Sequence, residues 1–331
     1  MIATTHAAGR FLTSSERMIV DLHTRVWSNP DQLGHGSTAR LRARQTQTGV
    51  SIDASPAAHD QAMTCVDRAL IVGFRSELTG ADIPAEYIAS LVAQSPGRRL
   101  GAAGIDPMHG GAIDQVSHAL NLGLSAIAVS PMGQGFHPAH SAALRVYERC
   151  ADAGLPLIVC DPPVLTAEGV LEFGRPCAWD EVARSFPTLP ILMTGLGHPW
   201  LDETLMLLGK HESIHADISG VASRPWQLYT ALQQASSLGV MNKLMFGSGF
   251  PYDTPARVIE TLYTLNSYSH GTHLPTIPRP QIRAIIERDS LACLGIEQDV
   301  RAPQAPTTVE SARGGAGSSH RLRSMQAGGR L

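Results

Sequence analysis

Short runs of β-branched and aliphatic residues recur along this chain of 331 residues, and their spacing constrains the fold more than any other feature. Eight such runs are found, at 18–22, 69–74, 100–105, 125–129, 157–159, 191–193, 214–218 and 243–246. From the second run onward they lie about 24 to 34 residues apart, which is the length of a strand with its crossover helix. The spacing therefore predicts eight consecutive strand-and-helix units.

Amphipathic stretches of helical length separate these runs. Examples are 84–94, 141–153, 200–210 and 225–238, and several begin near Asp, Ser or Pro, which favour the first turn of a helix. Eight such units close into a (β/α)8 barrel, so we predict a single TIM-type α/β barrel. An open doubly wound sheet is the alternative, but it would need a glycine-rich phosphate-binding turn after an early strand, and the sequence has none there.

Both ends of the chain differ in composition from the middle. Residues 302–331 are rich in Gly, Ala, Ser, Pro and Arg without an apolar period, which is typical of a disordered tail. Residues 1–17 are similar, and Met18 is an alternative start. We therefore predict disordered segments at 1–17 and 302–331 around a barrel at 18–301. Within the barrel, the polar segment 34–55 is expected to be an insertion over its mouth.

Composition argues against several classes of partner. A net charge of −3 gives no electrostatic reason to bind nucleic acid or an anionic membrane. The apolar runs are far shorter than the roughly 20 residues that cross a bilayer, and no leader sequence is evident, so a cytoplasmic location is predicted. The five cysteines are odd in number and form no C-x-x-C pair, which argues against a disulfide framework and a structural zinc site.

The chemistry of a TIM barrel lies at the C-terminal ends of its strands, so the residues that follow each run are the candidates for a site. The polar residues and glycines at these positions are His23 and Arg25 after the first run, Cys160 and Asp161 after the fifth, Gly195, Gly197 and His198 after the sixth, and Gly249 with Asp253 after the eighth.

Several segments resemble a known family. They are MIVDLHTRVW, DQLGHG, GADIPAEYIA, GIDPMHGGAID, GFHPAHS, LPLIVC, GLGHPWLDETL, HADISG and KLMFGSGFPYDTP. They are similar to the metal-dependent amidohydrolase-related family, which includes hydrolases and carboxy-lyases similar to aminocarboxymuconate semialdehyde decarboxylase. The likeness runs over about 18–296 and implies the barrel fold. It does not specify a reaction, so it leaves open whether this chain is an enzyme and, if so, whether it is a hydrolase or a carboxy-lyase.

The resemblance also implies a set of metal ligands, most of which this chain lacks. In the family, the metal is held by a His-x-His pair on the first strand, a His after the fifth, a His after the sixth and an Asp after the eighth. His23 matches the first position, whereas the other four are occupied by Arg25, Cys160, Gly195 and Gly249. Glycine has no side-chain donor, and a catalytic zinc needs about three protein ligands.

We therefore predict no metal cofactor. The alternative is a residual site for zinc or another divalent metal, in which His23 and Cys160 are completed by Asp161 or His198, because imidazole and thiolate both suit zinc.

Arg25 is the most informative replacement. Strand alternation predicts that His23 and Arg25 both face the barrel mouth. A guanidinium there would repel a cation and would suit a carboxylate or phosphate, which it can bind through two parallel hydrogen bonds. The alternative is that Arg25 forms a structural salt bridge with Asp161 or Asp253.

The remaining candidates carry weaker signals. Cys160 is a candidate nucleophile because a nearby arginine lowers the pKa of a thiol, although a cysteine that ends an apolar strand is also a common core residue. Asp217 is expected to cap a loop. The histidines near the mouth are candidate acids, bases or donors, or else local caps. The catalytic candidates are Cys160, Asp161 and His198, and the substrate-binding candidates are Arg25, His23, His137 and Asp253.

These observations lead to three functional hypotheses. The first is a barrel with a dismantled metal site that binds, or converts without metal, a small anionic organic molecule. The second is a metal-dependent hydrolase or carboxy-lyase with substitute ligands. The third is a pseudoenzyme that acts as a non-catalytic partner subunit. The oligomeric state is left open, with a homo-oligomer among the alternatives.

Overall fold

The computed structural model describes residues 18–49, 51–161 and 164–296. Eight parallel strands form one sheet in sequential order, and each pairs with the next along the chain. The strands are β1 (Val20–Thr24), β2 (Arg68–Val72), β3 (Arg99–Gly104), β4 (Ala126–Val129), β5 (Leu157–Val159), β6 (Ile191–Met193), β7 (Ile214–Asp217) and β8 (Leu244–Met245).

The sheet closes on itself between its first and last strands. The backbone N–H of Leu22 donates to Phe246 O at 3.1 Å, and the N–H of Arg25 donates to Phe250 O at 2.9 Å. A parallel bridge between Thr24 and Phe250 continues this pairing beyond β8. All eight predicted strands are present, and the predicted single TIM-type barrel is confirmed.

Helices follow the strands as expected for such a barrel. Their bounds are α1 (His35–Thr48), α2 (Pro56–Ala62), α3 (Ala85–Gln94), α4 (Ala112–Asn121), α5 (Pro131–Gln134), α6 (Ser141–Ala153), α7 (Trp179–Ser185), α8 (Leu201–Lys210), α9 (Pro225–Ser237), α10 (Pro255–Thr264), α11 (Arg279–Glu287) and α12 (Ser290–Cys293). The four helices predicted by range agree with α3, α6, α8 and α9 to within one residue at either end. None of the helices in the part of the chain that the structure describes has the length and apolar character needed to cross a lipid bilayer.

Two apolar layers hold the barrel together. One lies between the sheet and the surrounding helices. The other fills the barrel interior with residues from alternate positions of the strands, such as Leu22, Leu70 and Leu192, and is extended by Leu291 of α12. Packing on both faces explains why the strands read as continuous apolar runs rather than as alternating ones.

The long first interval forms α1 and α2. At the start of α1, the Ser37 hydroxyl contacts Val164 O at 3.5 Å, in the segment that follows β5. The insertion therefore lies against the loops at the C-terminal ends of the strands, as predicted. The tails predicted at 1–17 and 302–331, and the last residues of the predicted barrel range, lie outside the described residues.

The interior layer gives a direct test of the fold. Leu192→Ala removes a fully buried side chain from the barrel interior and should lower the free energy of unfolding by about 2–5 kcal/mol. Leu238→Ala, at a side chain that is 52% exposed after α9, should change it by less than about 0.5 kcal/mol. Urea unfolding followed by circular dichroism measures both. Equal changes in the free energy of unfolding for the two substitutions would contradict the packing of Leu192 in the barrel interior.

Candidate functional site

His23 and Arg25 both extend across the barrel mouth. The register between β1 and β2 shifts after Asp21, which marks an irregularity in β1. Beyond it, His23 Nδ1 lies 2.7 Å from the Ser219 hydroxyl after β7, and Arg25 Nη2 donates to Asp161 O after β5 at 2.6 Å. The two side chains thus reach different strands on other sides of the mouth, in agreement with their predicted orientation.

The guanidinium of Arg25 is buried and has few partners. The residue is 5% exposed, and its Nε atom has no hydrogen-bond partner among the described residues. Its contact with Asp161 is to the main-chain oxygen, and no carboxylate of the described chain lies within 4.0 Å of it. Arg25 therefore forms no salt bridge with Asp161 or Asp253 among the described contacts.

Asp253 has a local role instead. Its carboxylate accepts a hydrogen bond from the N–H of Thr254 at 2.9 Å and lies 3.8 Å from Arg257 Nε. These contacts place it at the start of α10, where a carboxylate favours the helix terminus. Its predicted substrate-binding role stays a prediction that these contacts do not support.

Asp217, which we expected only to cap a loop, lies at the centre of the site. It ends β7 and is fully buried. Its Oδ1 atom accepts hydrogen bonds from the N–H of Gly195 at 2.9 Å, the N–H of Ser219 at 2.8 Å and the hydroxyl of Ser219 at 2.5 Å. Burial raises the pKa of this carboxyl group to about 6, although these hydrogen bonds and the charge of Arg25 lower it in part.

The imidazole of His23 is buried on β1. It is 7% exposed, and burial together with the charge of Arg25 holds its pKa well below the usual range. Its backbone N–H donates to Asp21 Oδ1, which also accepts from the N–H of Ser248 at 2.9 Å and so ties β1 to the segment after β8. The side-chain Nε2 atom is buried and finds no partner within the described part of the chain.

Cys160 is buried at the end of β5. Burial raises the pKa of its thiol, although the charge of Arg25 and a hydrogen bond with Arg25 lower it in part. Its Sγ atom donates to Val129 O at 3.6 Å. The protonated, buried thiol is a poor nucleophile, so the geometry favours the core-residue interpretation of Cys160 over the catalytic one.

The two histidine candidates lie apart from His23 and Arg25. His137 is exposed, its Nδ1 atom accepts from the N–H of Ala139 at 3.1 Å, and its ring meets the edge of Phe173. His198 is half-buried, and burial and the charge of Arg224 lower its pKa. The backbone N–H of His198 donates to Gly195 O at 3.0 Å. Among the described residues, neither imidazole ring makes a hydrogen bond with His23, Arg25 or Asp217.

The remaining ligand positions implied by the family resemblance do not fit a divalent metal. Gly195 and Gly249 have left-handed φ angles of 61° and 74°. A Cβ atom at Gly195 would lie 3.0 Å from Ser219 O, and one at Gly249 would lie 3.4 Å from Ser219 Cβ. The loop after β7 thus fills the space toward which side chains at both positions would project.

The donor set agrees with this. In residues 18–49, 51–161 and 164–296, no three His, Cys, Asp or Glu side chains are grouped so that they could hold a metal ion. The permanent charge of Arg25 lies beside His23, the one imidazole that matches a family ligand, and it disfavours a dication there.

The two glycine conformations predict a cost for any side chain. Gly195→Ala and Gly249→Ala should each lower the free energy of unfolding by about 1–2 kcal/mol, because a left-handed backbone strains residues that have a Cβ. Restoring His and Asp at these positions carries the same strain. Gly209→Ala, inside α8, is the matched control: its Cβ would make only an ordinary contact, 3.7 Å from Val240 Cγ1, so the substitution should raise stability by roughly 0.5–1 kcal/mol. Chemical denaturation measures whether each substitution lowers or raises the free energy of unfolding.

Comparison with known proteins identifies the family. The amidohydrolase family model matches residues 20–276, which is most of the chain. A search of the curated proteins found no significant relative.

Solved structures share the fold at low sequence identity. An uncharacterized TIM-barrel protein from Bordetella bronchiseptica is 17% identical with a TM-score of 0.61, over 83% of this chain and 97% of that one. A putative 2-pyrone-4,6-dicarboxylic acid hydrolase from Pseudomonas putida is 16% identical with a TM-score of 0.56, over 85% and 98%. A 2,6-dihydroxybenzoate decarboxylase in complex with 2,6-dihydroxybenzoate is 11% identical with a TM-score of 0.58, over 84% and 98%. On the strength of the family model, this chain belongs to the amidohydrolase family, and its barrel is related in fold to hydrolases and decarboxylases.

Proposed function

We propose that the barrel mouth binds a small organic carboxylate through Arg25, and that this binding and any reaction that follows proceed without a divalent metal. The observation that carries the proposal is the state of Arg25, a buried guanidinium with a main-chain oxygen as its acceptor and an unsatisfied Nε atom.

The energetics favour a partner for this group. Removing a charged side chain from water costs several kcal/mol unless hydrogen bonds and an opposite charge compensate. A guanidinium has five N–H donors and binds a carboxylate through two parallel hydrogen bonds. The charges of Asp161 and Asp217 act on Arg25 from outside contact distance. The Oδ1 atom of Asp217 is already held by Gly195 and Ser219. A carboxylate bound directly to Arg25 would supply the missing contact.

Helix α1 adds positive charge near the mouth. It carries Arg40, Arg42 and Arg44 on its exposed surface and has no acidic residue, although Arg42 pairs with Asp31 at 3.3 Å and the charge of Arg40 acts on Glu168. Burial raises the pKa of the nearby Tyr252 phenol, and the charges of Arg25 and Arg44 both lower it, so these two cations act at the same locus. Such a field draws anions toward a cleft.

The names of two solved neighbours agree with a carboxylate ligand. One is named as a putative 2-pyrone-4,6-dicarboxylic acid hydrolase, and the other is a 2,6-dihydroxybenzoate decarboxylase in complex with 2,6-dihydroxybenzoate. Hydrolysis and decarboxylation are therefore the first two reaction classes to assay with this chain.

Arg25→Leu is the central test. If a ligand is the partner of Arg25, the substitution should change the free energy of unfolding by less than about 1 kcal/mol. It should weaken carboxylate binding by about 2–5 kcal/mol, the usual cost of removing one member of a buried charged pair. Isothermal titration calorimetry with a panel of mono- and dicarboxylates, inorganic phosphate and the matching carboxamides measures the binding.

Arg184→Leu is the matched control, because Arg184 is exposed on α7 and pairs with Asp180. It should leave the binding unchanged. A large loss of stability in Arg25→Leu, together with no binding of any carboxylate to the parent protein, would show that Arg25 is a structural residue and would end the proposal.

Metal content gives a second test. Protein purified from medium supplied with zinc and manganese should contain well below one ion per chain, because the donors of the described residues do not converge and Arg25 repels a cation. Inductively coupled plasma mass spectrometry measures the ratio. About one tightly held ion per chain would contradict the proposal that binding proceeds without a divalent metal.

A further inference from the structure

Several buried polar atoms in and around the barrel mouth have no hydrogen-bond partner among the described residues. Four of them are His23 Nε2, Arg25 Nε, Asp217 Oδ2 and Asp21 Oδ2. The hydrogen bonds of the neighbouring atoms determine which ring nitrogen of His23 is protonated. This in turn determines whether Nε2 is a donor or an acceptor toward a ligand.

The position of the protons follows from Ser219. Its hydroxyl lies 2.5 Å from Asp217 Oδ1 and 2.7 Å from His23 Nδ1. Asp217 Oδ1 already accepts from two backbone N–H groups and is therefore an acceptor, so the single hydroxyl proton of Ser219 is donated to it. The Ser219 oxygen must then accept from His23, which places a proton on Nδ1.

The Nε2 atom of His23 is buried with no acceptor in the described part of the chain, so a second proton there would be an unpaired donor beside the charge of Arg25, and the ring carries one proton. With that proton on Nδ1, the Nε2 atom of His23 keeps its lone pair and is an acceptor. It lies on the other edge of the ring from Ser219, on a side chain that crosses the mouth two residues before Arg25. The mouth therefore combines a charged donor and a neutral acceptor.

We infer that Ser219 and Asp217 are positioning residues that hold His23 as its Nδ1–H tautomer, so that Nε2 accepts a hydrogen bond from the ligand. The ligand class is a carboxylate that also carries an O–H or N–H donor near the carboxylate. The choice of this ligand class rests on the proposed function, whereas the tautomer does not. A carboxylate without such a donor would leave the buried Nε2 atom unpaired, which is costly.

The tautomer is tested without any ligand. The intact protein is labelled with 15N-histidine, and long-range 1H–15N correlation spectra report which ring nitrogen is protonated. The His23 signals are assigned by their loss in His23→Gln. We expect the Nδ1–H pattern in the parent protein at pH 7.5. An Nε2–H pattern there would overturn the inference whatever the ligand experiments show.

Ser219→Ala tests the cause of the tautomer. It removes the acceptor for Nδ1–H, so a measurable Nε2–H population should appear. Ser248→Ala is the matched control, because Ser248 is a buried serine of the same mouth that binds the backbone of Phe250 rather than His23. It should keep the parent pattern. If Ser219→Ala does not fold, the parent spectrum still decides the assignment, and an unchanged pattern in a folded Ser219→Ala would overturn the role of Ser219.

Matched probes test the ligand class. Propionate, 2-hydroxypropionate, 3-hydroxypropionate and the methyl ethers of the two hydroxy acids are titrated into the parent protein and into His23→Phe. At least one hydroxy acid should bind roughly three- to tenfold more tightly than its ether and than propionate, and this preference should vanish in His23→Phe. Equal binding of all five to the parent protein would overturn the ligand class while leaving the role of Arg25 intact.

Discussion

The rest of the barrel mouth depends on the hydrogen bonds that the buried carboxylate of Asp217 accepts. Its Oδ1 atom gathers the loop after β6, through Gly195, and the loop after β7, through Ser219. Through the Ser219 hydroxyl it also sets the orientation of His23 on β1. A carboxylate with these three donors can remain buried because hydrogen bonds replace its water shell. One side chain thus connects three of the eight strands.

Glycine makes this arrangement possible. The N–H of Gly195 reaches Asp217 from a backbone with a φ of 61°, a conformation that residues with a Cβ rarely adopt. The same conformation brings the Gly195 α-carbon close to the main chain of Ser219. The family resemblance implies a metal ligand at this position. In this chain the position instead supplies a backbone N–H that donates to Asp217.

The sequence predicted the barrel and part of its site, for different reasons. Strand spacing and apolar runs are local properties, so they were enough to place eight strands, and strand position was enough to direct His23 and Arg25 toward the mouth. The role of Asp217 could not be predicted, because an Asp two residues before a Ser at a strand end is also the pattern of a local loop cap. Asp217 does form such a cap, because its carboxylate accepts a hydrogen bond from the Ser219 N–H. The contact from His23 to Ser219 spans 196 residues of chain, and no local pattern reports such a distance.

Under the proposed function, an arginine at a position that holds a metal ligand in the family changes what the mouth can recognise. A dication attracts any anionic oxygen, and its coordination geometry is shared among several ligands. A guanidinium has a single charge, but its planar donors fix both the position and the plane of a bound carboxylate. In the binding mode that we propose, orientation of the carboxylate at Arg25 determines which neighbouring group of the ligand lies at His23. In the proposed binding mode, specificity therefore depends on the relative placement of His23 on β1 and Arg25 just after it, and the orientation of His23 depends on Asp217 and Ser219 across the barrel.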